Sequence, residues 1–481
     1  MSNWYDPDTL PAYTDLFAPT ETAYFGPTVC DPALSLCSTE LARDAEVKAR
    51  RKIQFWNLVQ TGFGYMFLLS SVQTALSVGT IVLFNIQDDK FHGTPTMGYA
   101  LLGLVYCMLA VAYWLTPPVV AKLGPVNSML ICAVCFIFFL LSFIRPVLWL
   151  LIIAAVIAGF GSALLSTAGG VFMALNSDSE TIGRNTGIFF GLYETSLIWG
   201  NVGFFFILHG DTSISTSQRY WIFGYLLILA VLGTILVAFL KRKQASAVLR
   251  GNEFARSIKR GVWDSIKAAA ALFYDMKILM LCPLVIYLGF SAAFRNDIYN
   301  SSIGYTRKLN SLSLVGLAGI ALGLGELSGS AACAAANTKN PHMSRGKIVL
   351  CGIICNYFAY LFIYLNLPSE ANLGPTDKIS IINPPNKGLA VFCSFLMGIG
   401  DSTMNVQIYA ILAEMFGKDI VPSVGLYNSI YAIFCALAYF LSLRVELYAQ
   451  MTILLVLGLS GWTTFAVLAR NYARSLRYED I

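Results

Sequence analysis

Long apolar runs recur along the chain, separated by short polar or charged punctuation. Twelve of them approach the ~20 residues that a helix needs to cross ~30 Å of hydrocarbon. They lie at 56–84, 97–117, 125–144, 147–175, 184–208, 220–240, 278–301, 311–335, 347–366, 389–415, 421–442 and 447–469. The runs are continuous, whereas an outer-membrane barrel alternates apolar and polar residues in segments of ~10. The pattern therefore predicts an all-α, polytopic membrane protein with twelve transmembrane helices. The opening "MSNWYDPDTLPAYTDLFAPT" has neither a basic start nor an apolar core, so the first span is expected to serve as the insertion signal.

Composition agrees, with 57% hydrophobic and 12% charged residues, against about 25% charged in soluble domains. Residues 1–46 carry eight acidic residues and one basic residue, and are expected to form a disordered acidic tail. If the N-terminus is cytoplasmic, the two tails and the loops on that side hold 23 of the 32 Lys and Arg residues. Positive residues stay inside, so both termini are expected in the cytoplasm. The net charge of +5 follows from that topology and implies no nucleic-acid partner.

Spans six and seven are separated by a basic linker, 241–277, with nine positive and three negative side chains. Phe254, Ile258, Val262, Ile266 and Phe273 approximate one face of it, and Arg256, Lys259, Arg260 and Lys267 mark others, as in a helix lying on an anionic leaflet. The chain thus divides into a tail (1–46), a six-helix half (47–240), the linker, a second six-helix half (278–470) and a short tail (471–481). Six spans, a long loop and six spans resemble the plan of a major facilitator, whose halves are related by a repeat. "GFGSALLSTAGG" at 159 and "GIGDSTMNVQ" at 398 occupy matching spans, each followed by a "GLY". The eleven cysteines are scattered, mostly within spans, and suggest neither a disulfide framework nor a metal site; Cys132 and Cys135 read as small apolar packing.

Three stretches carry a family resemblance. Asn176, Ser177, Thr181, Ile182, Gly183, Arg184, Asn185, Thr186 and Gly187 follow span four. "GLGELSG", with Glu326, lies in span eight, and Gly398, Gly400, Asp401, Asn405 and Gln407 lie in span ten. Together they resemble the uncoordinated-ninety-three-like family, an ion-channel-regulatory branch of the major facilitator superfamily. The resemblance implies a facilitator fold. It also implies one of several roles: a regulatory partner of potassium channels, a trafficking companion of receptors, or a transporter. Two places depart from the family pattern. Ser166, Thr167, Ala168, Gly169 and Gly170 replace an expected Trp-Thr-Ala-Gln-Gly, and span seven gains Arg295, Asn296 and Asp297.

An ionisable group at mid-bilayer costs about 2.5–3.5 kcal/mol on insertion scales and so faces protein or water. Glu326 lies ~22 Å along its helix, past the midplane. Asp401 and Glu194 are similarly deep. One reading makes Glu326 and Asp401 proton or cation sites on a central path lined by Glu194, Gln73, Asn405 and Gln407. The other makes each carboxyl a tie between helices of one half. Arg184, with Asn185, is a candidate cytoplasmic gate. Arg295 and Asp297 are expected to pair with one another or with water near the outer mouth. Asn300 heads the one glycosylation sequon. Gly319 and Gly323, then Gly325 and Gly329, form two G-x-x-x-G steps that permit close helix packing.

The histidines, His92, His209 and His342, fall in separate loops, and no nucleophile–base pattern or phosphate loop is visible, so no enzyme, cofactor or metal is expected. The bilayer is the implied partner, with a channel or receptor subunit or a small solute beside it. "YTDL" at 13 and the final "YEDI" match short sorting signals, compatible with a plasma or endolysosomal membrane. Two functions stand at this point: a regulatory or trafficking subunit, and a proton- or cation-coupled secondary transporter.

Overall fold

The computed structural model describes residues 32–88, 91–177, 182–240, 267, 271–339, 345–416 and 420–479. The chain is helical almost throughout: α1 (Pro32–Phe84), α2 (Pro95–Leu123), α3 (Pro125–Ser142), α4 (Leu148–Leu175), α5 (Ile182–Glu194), α6 (Ser196–Ile207) and α7 (Thr216–Ala238). Then follow α8 (Met276–Tyr305), α9 (Ser313–Lys339), α10 (Arg345–Asn366), α11 (Lys387–Met415), α12 (Ile420–Leu441) and α13 (Leu447–Glu479). A two-residue antiparallel pairing, Gln87–Asp88 with Phe91–His92, closes the turn between α1 and α2. Among the described residues, eleven helices are long and apolar enough to cross a membrane. The expected span at 184–208 is broken into α5 and α6 at Thr195, whose Oγ1 donates to the carbonyl of Leu192 at 2.7 Å.

Local signals set the ends. Pro95 and Pro125 sit in first turns, where a missing N–H costs nothing. Ser215 and Gln218 close a reciprocal capping box on α7, and Asn386 accepts from the Leu389 amide at 3.0 Å to cap α11. Residues 32–46, expected to be disordered, are helical and form the first part of α1. "ELARDAE", at the end of that segment, is rich in strong helix formers. Residues 1–31 and most of the basic linker, including the apolar face proposed for it before Lys267, lie outside the described residues, as do Asp178, Glu180 and His342.

The surface is inverted relative to a water-soluble protein. Phe206, Trp221 and Phe239 are at least 70% exposed, while Ser70, Ser71, Thr74, Asn201, Asn356 and Asn366 are fully buried. Lipid is the solvent that makes this arrangement stable. The glycine rows of α9 pack in two directions. Side-chain atoms at Gly319 and Gly323 would press on α6, at Asn201 and Ile198, whereas at Gly325 and Gly329 they would strike α11, at Phe395 and Ser402. The first row therefore joins the two halves and the second tightens one half. Helices α2 and α12 make the other large contact between halves.

One end of the bundle is closed by contacts between the halves. The Tyr305 hydroxyl donates to Thr80 O at 3.3 Å, Tyr99 to Asn372 O at 3.0 Å, and the Leu312 amide to Asp211 O at 3.2 Å. At the opposite end a Cβ added to Gly170, Gly187 or Gly425 meets nothing within 4 Å.

Candidate functional site

Mid-way along the bundle, α8 departs from α-helical geometry. Phe294–Ile298 forms a π-turn, with the Tyr299 amide donating to Phe294 O. Such a turn inserts one extra residue and is frequent at functional sites. Its polar residues, Arg295 and Asp297, are 5% and 1% exposed. The expected pairing of these two does not occur. Helical residues two apart point about 200° from each other, so Arg295 and Asp297 face opposite sides of α8. Nor do they lie at an outer mouth, since α8 continues to Tyr305.

Arg295 instead reaches two carboxylates from two other helices. Its Nη2 lies 2.8 Å from Oδ2 of Asp401 on α11, and its Nε lies 3.8 Å from Oε1 of Glu326 on α9. Asp401 Oδ1 accepts from Asn405 Nδ2 at 3.0 Å, and Asn405 Oδ1 accepts from the Tyr427 hydroxyl at 2.7 Å. The chain of contacts thus runs α9–α8–α11–α12 inside the second half. The first half enters through Glu194, placed at the break in span five, whose Oε1 accepts from Ser330 Oγ of α9 at 3.4 Å. Its Oε2 is buried without a hydrogen-bond partner. Around this group stand Tyr409, Tyr427 and Tyr431; the Tyr409 and Tyr427 rings meet edge to face at 5.2 Å. Tyr409 is 41% exposed, whereas the side chains of Arg295 and Asp401 are 6% and 9% exposed.

The remaining expected residues are distributed more widely. Gln73 accepts from Ser196 Oγ at 2.9 Å and ties α1 to α6. Gln407 is buried, its Nε2 without a geometric hydrogen-bond partner. Arg184 is exposed and stacks its guanidinium over the Phe55 ring at 5.3 Å, while Asn185 donates to Ser177 Oγ at 3.1 Å and joins the start of α5 to the end of α4. Asn300 is 1% exposed inside α8 and donates to Ser77 Oγ at 2.7 Å. A glycan needs a surface loop, so the sequon reading is overturned: the helix runs through it. The tyrosines went unnoticed in the sequence, although Tyr427, Tyr431, Cys435 and Tyr439 repeat every fourth residue along one face of α12.

No group of three or more His, Cys, Asp or Glu suited to a metal ion occurs among the described residues. The cluster holds one guanidinium against three carboxylates. That balance favours recruitment of one or two positive charges from outside, as protons or a bound cation.

Two packed halves, a charged centre between them and one closed end define a protein of the major-facilitator class. Solved structures agree. The fold is similar to the partially occluded, inward-open xylose transporter XylE from E. coli (TM-score 0.58, 13% identity, covering 88% of this chain and 98% of that one). It is also similar to the nucleoside transporter NupG (TM-score 0.59, 13% identity, covering 88% and 99%). A POT family transporter in complex with 5-aminolevulinic acid matches at TM-score 0.60 and 12% identity, covering 86% and 95%. Residues 91–466 match the family model described as ion channel regulatory protein UNC-93, and the chain belongs to that family. Among its relatives, the UNC93-like protein MFSD11 of Xenopus laevis is 30% identical over 425 residues, 85% of this chain and 94% of that one. Protein unc-93 homolog A of Danio rerio is 21% identical over 442 residues, 83% and 88% of the two chains.

Proposed function

We propose that the protein is a secondary transporter that moves a small polar solute by alternating access, driven by protons or a monovalent cation. One observation carries this reading: an intramembrane arginine is shared by carboxylates from two further helices, beside a carboxylate supplied by the other half. Charges are retained in a membrane interior where they serve a pathway. A purely structural tie would be satisfied by the Arg295–Asp401 pair alone and would not add Glu326 and Glu194 with open valences. Hydrogen bonds between the halves that close one end of the bundle are the kind of contact that rocking of two halves would break and remake.

A reconstituted assay tests it. Liposomes bearing the protein should show proton or alkali-cation flux under an imposed gradient, and Glu326→Gln or Asp401→Asn should abolish it. No flux under any gradient in correctly folded wild type would refute the transport reading.

The second reading, a regulatory subunit of an ion channel, is favoured by the description of the family model. It predicts co-purification of a channel protein and normal partner currents in Glu326→Gln. The basic-residue distribution supports cytoplasmic termini, and the "YTDL" and "YEDI" matches support a plasma or endolysosomal membrane.

A further inference from the structure

A second set of buried oxygens lies on the other face of the α8 π-turn. Asp297, Asn300 and Ser301 are spaced three and four residues apart, so their side chains share one helical face. All three are at most 1% exposed. Each keeps an oxygen without a hydrogen-bond partner: Asp297 Oδ1, Asn300 Oδ1 and Ser301 Oγ. The orientation of the amide is fixed by its donor side, because Asn300 Nδ2 is held by Ser77 Oγ at 2.7 Å and by Asn296 O at 2.6 Å. Oδ1 is therefore the atom left over. The Ser77 hydroxyl itself donates to Asn296 O at 2.6 Å.

Asp297 makes a hydrogen bond from Tyr439 through its other oxygen, and neither recorded ion pair of Arg295 involves it. A buried carboxylate with no direct ion pair and one unbonded oxygen, on the same helical face as two further oxygens that lack a geometric hydrogen bond, is costly as it stands. A cation with hard oxygen preference satisfies every one of these groups at once. One formal negative charge matches a monovalent ion; calcium and magnesium sites draw on more carboxylates or on retained water.

We infer that Asp297, Asn300 and Ser301 form a binding site for a dehydrated alkali cation, sodium or potassium, separate from the Arg295 cluster. The site stands independently of the transport reading, since it would serve equally as a structural ion joining α8 to α1.

The test is thermal unfolding of the purified protein in detergent at constant ionic strength, with choline chloride replaced stepwise by sodium, potassium or lithium chloride. A saturable rise in midpoint with one alkali ion, absent in choline, is expected because a ligand that binds only the folded state stabilises it. Asp297→Asn should abolish the rise. Ser301→Ala should move its half-saturation to at least tenfold higher concentration, and this variant decides the matter if Asp297→Asn does not fold. Glu326→Gln should leave the rise intact, which separates this site from the central cluster. The inference fails if wild type responds equally to choline and all three alkali ions, as it would if Asp297 simply carried a proton. It fails equally if the response survives both Asp297→Asn and Ser301→Ala.

Discussion

Replacing Arg295 by methionine isolates the central charge cluster. The side chain is 6% exposed and its partner Asp401 9%, with 2.8 Å between Nη2 and Oδ2. Removing one member of such a buried pair leaves an uncompensated charge, at a cost of about 3–5 kcal/mol. Here the loss strands both Asp401 and Glu326, so Arg295→Met should fall in the upper part of that range. The converse change is milder. In Asp401→Asn the guanidinium still has Glu326 at 3.8 Å, so the loss is that of one charged hydrogen bond, roughly 1.5–3 kcal/mol. Combining the two removes the stranded Asp401 charge, and the double variant should be more stable than the sum of the single losses by at least ~1 kcal/mol. Denaturant unfolding of the purified variants in one detergent measures all three. If Arg295→Met stays within about 0.5 kcal/mol of wild type, or the double variant is strictly additive, the cluster is not a coupled buried unit.

Further outcomes follow from packing and bonding. Gly325→Ala and Gly398→Ala should each destabilise by about 1–3 kcal/mol through overpacking, because each new Cβ would run into a backbone carbonyl across the α9–α11 contact. Gly187→Ala meets no atom within 4 Å and should be neutral or stabilising by up to ~1 kcal/mol; midpoint shifts distinguish the two groups. Tyr427→Phe removes the donor to Asn405 Oδ1 at 2.7 Å and should cost about 1 kcal/mol. Digestion with an N-glycosidase should leave the electrophoretic mobility of the protein expressed in animal cells unchanged, since Asn300 is buried in α8.

What the sequence shows depends on how far apart the interacting residues lie. Span positions are legible because each depends on ~20 consecutive residues facing lipid. The glycine rows of α9 are legible for the same reason, although only the structure separates the row on α6 from the row on α11. The break at Thr195 is hidden because "GLYETSLIWG" is apolar enough to read as continuous. At the break the Thr195 hydroxyl turns back onto Leu192 O. Glu326 and Asp401 stand out in the sequence as charges within apolar runs, but their shared arginine does not, because it lies 31 residues before one and 106 before the other. A local reading joined Arg295 to its neighbour Asp297, and helical geometry forbids that pair.

The π-turn connects these observations. It lets Arg295 face α9 and α11 while Asp297, Asn300 and Ser301 turn the other way. Loss of the extra residue would rotate everything beyond it by roughly 100° relative to everything before it. Arg295 lies at the start of the turn and Asn300 just after it, so their contacts cannot both survive that rotation. The contact of Tyr305 with Thr80 O, part of the closed end, lies on the same downstream segment. The charge cluster at the centre and the seal between the halves therefore depend on one irregular turn of α8. Glu326 is not an isolated charge in a glycine-rich helix: it belongs to a group whose geometry is set from a neighbouring helix, at the place where that helix also holds the bundle shut.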